Sequence, residues 1–145
     1  MDNPQLILAL QTVISPVVLI SGVGMLVLSM TNRFSHATDR ARFLSEERHK
    51  VEGVAKERIE SQVRILYRRL RLLLLAIALA LVSVLLVALL IITLFANYLF
   101  DTTFRGLVVA FFALSLISLV ASLGLFIRDM SLSLAALRED LHDLV

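Results

Sequence analysis

The chain has 145 residues, 59% of them hydrophobic, with a mean hydropathy of +0.89 and a formal net charge of +2. Soluble domains are about 45–50% apolar, so much of this chain must be solvated by lipid, and its size fits one compact unit. No cysteine is present, which excludes disulfides, thiolate chemistry and Cys-ligated metals.

The small net charge hides a strong pattern. Residues 33–71 carry eleven of the fourteen Lys and Arg residues with six acids, a local charge of +5, which leaves −3 for the remainder. Three long stretches carry no charge at all: residues 3–32, 72–100 and 106–127. About 20 apolar residues cross a hydrocarbon core, so each stretch is expected to be a transmembrane helix. The first does not read as a cleaved signal, which needs a basic start and a short apolar core. Asp2 is the only charge before it, so it is expected to stay in the mature protein.

The first span, residues 1–32, contains Pro16, which removes a backbone donor and clashes with the preceding turn. Two readings follow: one long helix kinked at Pro16, or a helix that starts there with Ser15 as its cap. The kink is the preferred expectation, because neighbouring groups can satisfy a freed carbonyl. Gln11, Ser15, Gly22 and Ser29 recur at steps of four, seven and seven, which places them on one helical face. Such a face suits either close helix packing through small residues or the lining of a water-filled pathway. With Pro16 they are the candidate pore-lining or packing residues.

Residues 33–71 read as a charged helical hairpin that turns near Lys50–Gly53 and returns to the same membrane surface. Each arm would be about 18 residues, or roughly 27 Å. Apolar residues at Phe34, Ala37, Ala41, Leu44, Val51, Ala55, Ile59 and Leu66 give the segment an amphipathic period. Acids are interleaved and aromatics few, so nucleic acid is not an expected partner. Arg68, Arg69 and Arg71 abut the next span and are expected to anchor the headgroup layer.

The second span, residues 72–100, is almost pure Leu, Ala, Ile and Val in its first half, with Thr93 and Asn97 near its far end. Those two are expected to hydrogen-bond to a neighbouring helix. A short extracytoplasmic turn, 101–105, makes spans two and three antiparallel neighbours. In the third span, 106–127, Ser115, Ser118 and Ser122 share a face suited to small-residue packing. Residues 128–145 read as a cytoplasmic amphipathic helix with an apolar seam of coiled-coil type at Met130, Leu134, Leu137, Leu141 and Leu144. Because that helix is net acidic, it is expected to dock on the basic hairpin.

The fold class is therefore all-α: an integral membrane protein with three transmembrane helices, a cytoplasmic hairpin and a C-terminal amphipathic helix. The eleven basic residues of 33–71 against one in 101–105 place the N-terminus outside and the C-terminus in the cytoplasm by the positive-inside rule.

Catalytic chemistry is thin. His36, His49 and His142 lie in polar segments without metal-ligand spacing, and the serines of the first span have no His or Lys base beside them. Ser21-Gly22-Val23-Gly24 is followed by no Gly-Lys-Ser/Thr and preceded by no strand. No enzyme, metal or cofactor is expected. No span holds an ionisable residue, which argues against proton-coupled transport and voltage sensing.

The run from Leu10 to Arg33, with Ile14-Ser15-Pro16, Ser21-Gly22-Val23-Gly24 and Ser29-Met30-Thr31-Asn32-Arg33, resembles a family of small bacterial inner-membrane proteins. That family is known only as a domain of unknown function. The likeness continues through Asp39-Arg40-Ala41-Arg42 and Ile65-Leu66-Tyr67-Arg68-Arg69 to Ser131-Leu132-Ser133-Leu134-Ala135-Ala136-Leu137. The resemblance implies a bacterial three-span membrane protein and no activity, cofactor or site residue. Two functions are expected to compete: a homo-oligomeric ion channel or pore lined by the first span, and a non-conducting scaffold or regulatory subunit that recruits a partner through its cytoplasmic helices. The bilayer, further copies of the chain and ions are the expected partners.

Overall fold

The computed structural model describes residues 3–101 and 103–142. Among them the regular secondary structure is all helical, with α1 (Asn3–Arg48), α2 (Val54–Phe100) and α3 (Arg105–His142). Each helix contains a stretch long and apolar enough to cross a membrane. The 46 residues of α1 and 47 of α2 amount to about 70 Å each, against a hydrocarbon core of about 30 Å. Both helices must therefore run well past the apolar layer.

Three expectations change in consequence. Helix α1 continues without interruption through Pro16, so the reading that starts a new helix there is dropped. The arms expected over 33–71 are not separate helices but the end of α1 and the beginning of α2. Likewise 128–142 is no separate amphipathic helix: it prolongs α3. The turn between α1 and α2 spans residues 49–53. His49 and Lys50 donate backbone bonds to the carbonyls of Glu46 and Glu47, and the Gly53 carbonyl accepts from the amides of Lys56 and Glu57 in the first turn of α2. Gly53 sits at φ 78°, a left-handed conformation that costs glycine little. Arg48 and Glu60 pair at 2.8 Å across the turn with both side chains well exposed, a contact of little energetic weight.

The chain divides into two compact units. The first comprises Met1–Leu28 with Ala78–Ala121, and its core joins α2 to α3 through hydroxyls. The Ser83 hydroxyl donates to the Ser115 carbonyl at 2.9 Å, and the Ser118 hydroxyl to the Leu79 carbonyl at 2.7 Å. Ala80, Val87 and Leu90 complete the α2 side, and Val23 is the buried residue of α1. Thr93 bonds within its own helix, to the Leu89 carbonyl, rather than to a neighbour. The Asn97 amide oxygen accepts from the Phe104 backbone, so it orders the turn before α3.

The second unit comprises Ser29–Ile77 with Ser122–Val145. Its buried apolar residues are Met30, Leu44, Leu66, Leu73 and Ala76. The fully buried Ser122 donates to the Ala76 carbonyl at 2.6 Å. Met130, Leu134 and Leu137 do not dock on the charged arms: they are 46%, 67% and 57% exposed. The inward face of α3 here carries Phe126, Asp129 and Ser133 instead. Leu144 lies outside the described residues, as does the side chain of Leu141.

This packing sets an asymmetry at Ser122. A bonded serine in a membrane interface contributes only about 0.6–2 kcal/mol, whereas overpacking a filled site costs about 1–3 kcal/mol. Thermal unfolding in detergent should therefore show Ser122→Ala mildly destabilised and Ser122→Leu clearly more so. Equal melting temperatures for the two would mean that α2 and α3 are not closely packed at this point.

Candidate functional site

Two features of the chain are unlike ordinary membrane-helix packing. The first is the outward stripe of α1. Gln11, Ser15, Gly22 and Ser29 are all exposed, and Pro16 is half-buried beside them. The buried side of α1 is carried by Val23 and Met30, and adjacent residues lie roughly 100° apart around a helix. A Cβ added at Gly22 would meet no atom within 4 Å. The stripe therefore takes no part in packing within the chain.

Its polar groups are also open. Thr12 and Ser21, off the stripe, donate to the carbonyls of Leu8 and Val17 one turn back. Among the described residues, the side chains of Gln11, Ser15 and Ser29 have no such partner. Unbonded polar groups in hydrocarbon are costly, so this face is less suited to bare lipid than the leucine-rich faces of α2 and α3.

The second feature was not expected. Asp129 of α3 is completely buried and lies between two guanidinium groups. Arg69 of α2 donates from Nε to Oδ1 at 3.3 Å. Arg33 of α1 approaches Oδ2 with Nη2 at 3.5 Å, but without hydrogen-bond alignment, so Oδ2 accepts no bond. The Ser133 hydroxyl, one turn beyond Asp129, accepts from Nη2 of both arginines. Beneath Arg33 lies the Phe126 ring, with Cζ 5.8 Å from its centroid, within cation–π range.

One residue from each helix thus meets at a common level. Arg33 ends the first charge-free stretch, Arg69 precedes the second by three residues, and Asp129 follows the third by two. The cluster therefore sits at one edge of the apolar layer. It also changes one expected role. Arg68 and Arg71 are exposed, as headgroup anchors would be. Arg69, whose side chain is only 21% exposed, is turned inward to Asp129.

Nothing in the cluster resembles a metal centre or a nucleophile with its base. Among the described residues no group of His, Cys, Asp and Glu could hold a metal ion. A groove of about 330 Å³ between Leu6–Val13 and Leu94–Tyr98 is lined almost entirely by apolar side chains. Its surface suits hydrocarbon rather than ions.

Three of the four stripe residues of α1, Ser15, Gly22 and Ser29, together with the Arg69 and Asp129 regions, fall within one family match. The family described as protein of unknown function (DUF2721) matches residues 13–139. The chain belongs to that family. No curated protein and no solved structure matches the chain. Membership in DUF2721 brings no activity with it, so function must be argued from the two features above.

The cluster makes an asymmetric stability prediction. Removing Asp129 leaves two partly exposed arginines that can turn towards water. Removing both arginines leaves a fully buried carboxylate, and breaking a buried pair in that way costs about 3–5 kcal/mol. Denaturant unfolding in detergent should thus rank Arg33→Ala/Arg69→Ala as clearly less stable than Asp129→Ala. The opposite order would show that the carboxylate is not held in an enclosed site.

Proposed function

We propose that the protein is a homo-oligomer in the bacterial inner membrane, whose α1 helices surround a shared axis and line an ion-conducting pathway with Gln11, Ser15, Gly22 and Ser29. The observation that supports this reading is the open hydrogen-bonding capacity of the α1 stripe. Three spans in one chain are too few to enclose a channel, so several copies must contribute. Hydroxyls and an amide, with no charge among them, suit a pathway that conducts without the intramembrane titratable groups used by proton-coupled transporters.

A second reading has its own support. Helices α1 and α2 continue as charged arms beyond the apolar layer, over 33–48 and 54–71. On this view the stripe is a dry contact between copies, and the arms of a non-conducting scaffold recruit a partner.

One substitution separates the two. Gly22→Leu puts a bulky side chain where either a water column or a neighbouring backbone lies. For a pore, the oligomer persists on size-exclusion chromatography and ion flux through reconstituted vesicles falls. For a scaffold, the oligomer dissociates and wild type shows no flux to lose. A variant unchanged in both assembly and flux would place this face in lipid and overturn both readings.

Orientation is tested independently. The chain has no native cysteine, so single cysteines can be introduced at Ala55 and Thr103. With the N-terminus outside and the C-terminus cytoplasmic, an impermeant thiol reagent labels Thr103→Cys on intact cells and leaves Ala55→Cys unlabelled. The reverse pattern would invert the topology.

A further inference from the structure

We propose that Arg33, Arg69 and Ser133 form a site for the phosphate of an anionic phospholipid headgroup, with Asp129 as the buried residue that positions it. The first support is charge. Two guanidiniums face one carboxylate, so the cluster retains a charge of +1 by formal count. A structural ion pair alone would need only one arginine.

The second support is the donor inventory. Each guanidinium carries five N–H donors in a planar fork that matches phosphate oxygens. Arg69 uses Nε on Asp129 and Nη2 on Ser133, and Arg33 directs Nη2 at the same two residues. Arg69 Nη1 and Arg33 Nε and Nη1 have no partner among the described residues. Both side chains keep an open side, 32% exposed for Arg33 and 21% for Arg69. Arg33 is the looser arm, because its approach to Oδ2 is ionic contact without a hydrogen bond. A phosphate can therefore take up the unpartnered Nε and Nη1 of Arg33 while its Nη2 stays bonded to Ser133.

The third support is position. Arg33, Arg69 and Asp129 lie within three residues of the ends of charge-free stretches, and Ser133 is one turn beyond Asp129, where the headgroup layer begins and lipid phosphates are concentrated. Basic clusters between membrane helices on the cytoplasmic side recognise anionic headgroups by this chemistry. In this arrangement Asp129 lies within the helix packing and holds both forks in place. It is a positioning residue, and its own charge is compensated before a ligand arrives.

The test is native mass spectrometry of the full-length protein released from nanodiscs of equal phosphatidylglycerol and phosphatidylcholine. Wild type should retain phosphatidylglycerol selectively. Arg33→Gln/Arg69→Gln should retain roughly tenfold less, the loss expected for about one charge-assisted bond. The exposed pair Arg68→Gln/Arg71→Gln removes the same charge from the same layer and should change retention by no more than about twofold, as for screened surface charges. Equal losses in the two pairs would reduce the site to a diffuse basic surface and overturn the proposal.

Two further variants guard against misfolding and generic attraction. Arg33→Lys keeps the charge without the fork and should fold as wild type, yet lose part of the selectivity. Asp129→Asn raises the cluster from +1 to +2: diffuse attraction predicts more bound lipid, whereas a positioned site predicts less. More phosphatidylglycerol on Asp129→Asn than on wild type would overturn the positioning role. In a last arm, inorganic phosphate is titrated against the lipid-loaded protein. Displacement of phosphatidylglycerol by phosphate at equal concentration would assign the site to a free anion instead of a lipid.

Discussion

The buried Asp129 carboxylate is the constraint on which the second unit turns. A carboxylate with no exposed surface must be compensated, because desolvating an isolated charge costs several kcal/mol even after relaxation. Here the compensation comes from two other helices, through Arg33 and Arg69. That requirement fixes the register of α1, α2 and α3 against one another at this level far more sharply than apolar contacts could. Leucine side chains slide past lipid and past each other at little cost, and a charge meeting a buried countercharge cannot. Ser122, seven residues before Asp129 on the same face, bonds Ala76, which lies seven residues after Arg69. Ionic contact and hydroxyl contact therefore follow one heptad spacing along α2 and α3.

Much of the architecture was legible in the chain. Three charge-free stretches give three helices apolar enough to span, and the end of the second stretch at Phe100 coincides with the end of α2. Ser115, Ser118 and Ser122 share a face in sequence and pack inward in the structure. What misled was the soluble-protein rule that apolar seams face inward. Beyond Ile127 that rule selects Met130, Leu134 and Leu137, yet these point outward. The inward face continues the serine stripe instead, through Phe126, Asp129 and Ser133 at steps of four, three and four from Ser122. In lipid no hydrophobic force drives helix against helix, so small and polar residues hold the interface and leucines are left outside. Extending the serine period past the end of the third span would have found Asp129.

The arginines were obscured for a different reason. Arg69 stands between Arg68 and Leu70 in a basic run at a span boundary, where positive charge already has a sufficient explanation in membrane topology. Its distinction from Arg68 is rotational: on α2 it shares a face with Leu66, Leu73 and Ala76, which are buried. A helical projection separates the two, whereas a charge count does not. Arg33 is likewise placed by a fixed distance from its own helix's buried residue, three positions after Met30.

Helix α1 then carries a division of labour. It enters the first unit with Val23 as its buried residue, and it enters the second with Met30 and Leu44. Its burial within the chain is slight, with 11% of its most apolar stretch enclosed against 28% for α2. A helix held by so few contacts would be poorly fixed by dispersion alone. Arg33, in ionic contact with Asp129 and hydrogen-bonded to Ser133, supplies an anchor that needs no broad apolar face. Most of the remaining circumference of α1 is exposed. A glycine and three unbonded polar side chains form a stripe there, among exposed apolar residues such as Leu10, Ile14, Val18 and Met25. Helix α1 is thus fixed to its own chain through a narrow edge, with only 11% of its most apolar stretch enclosed.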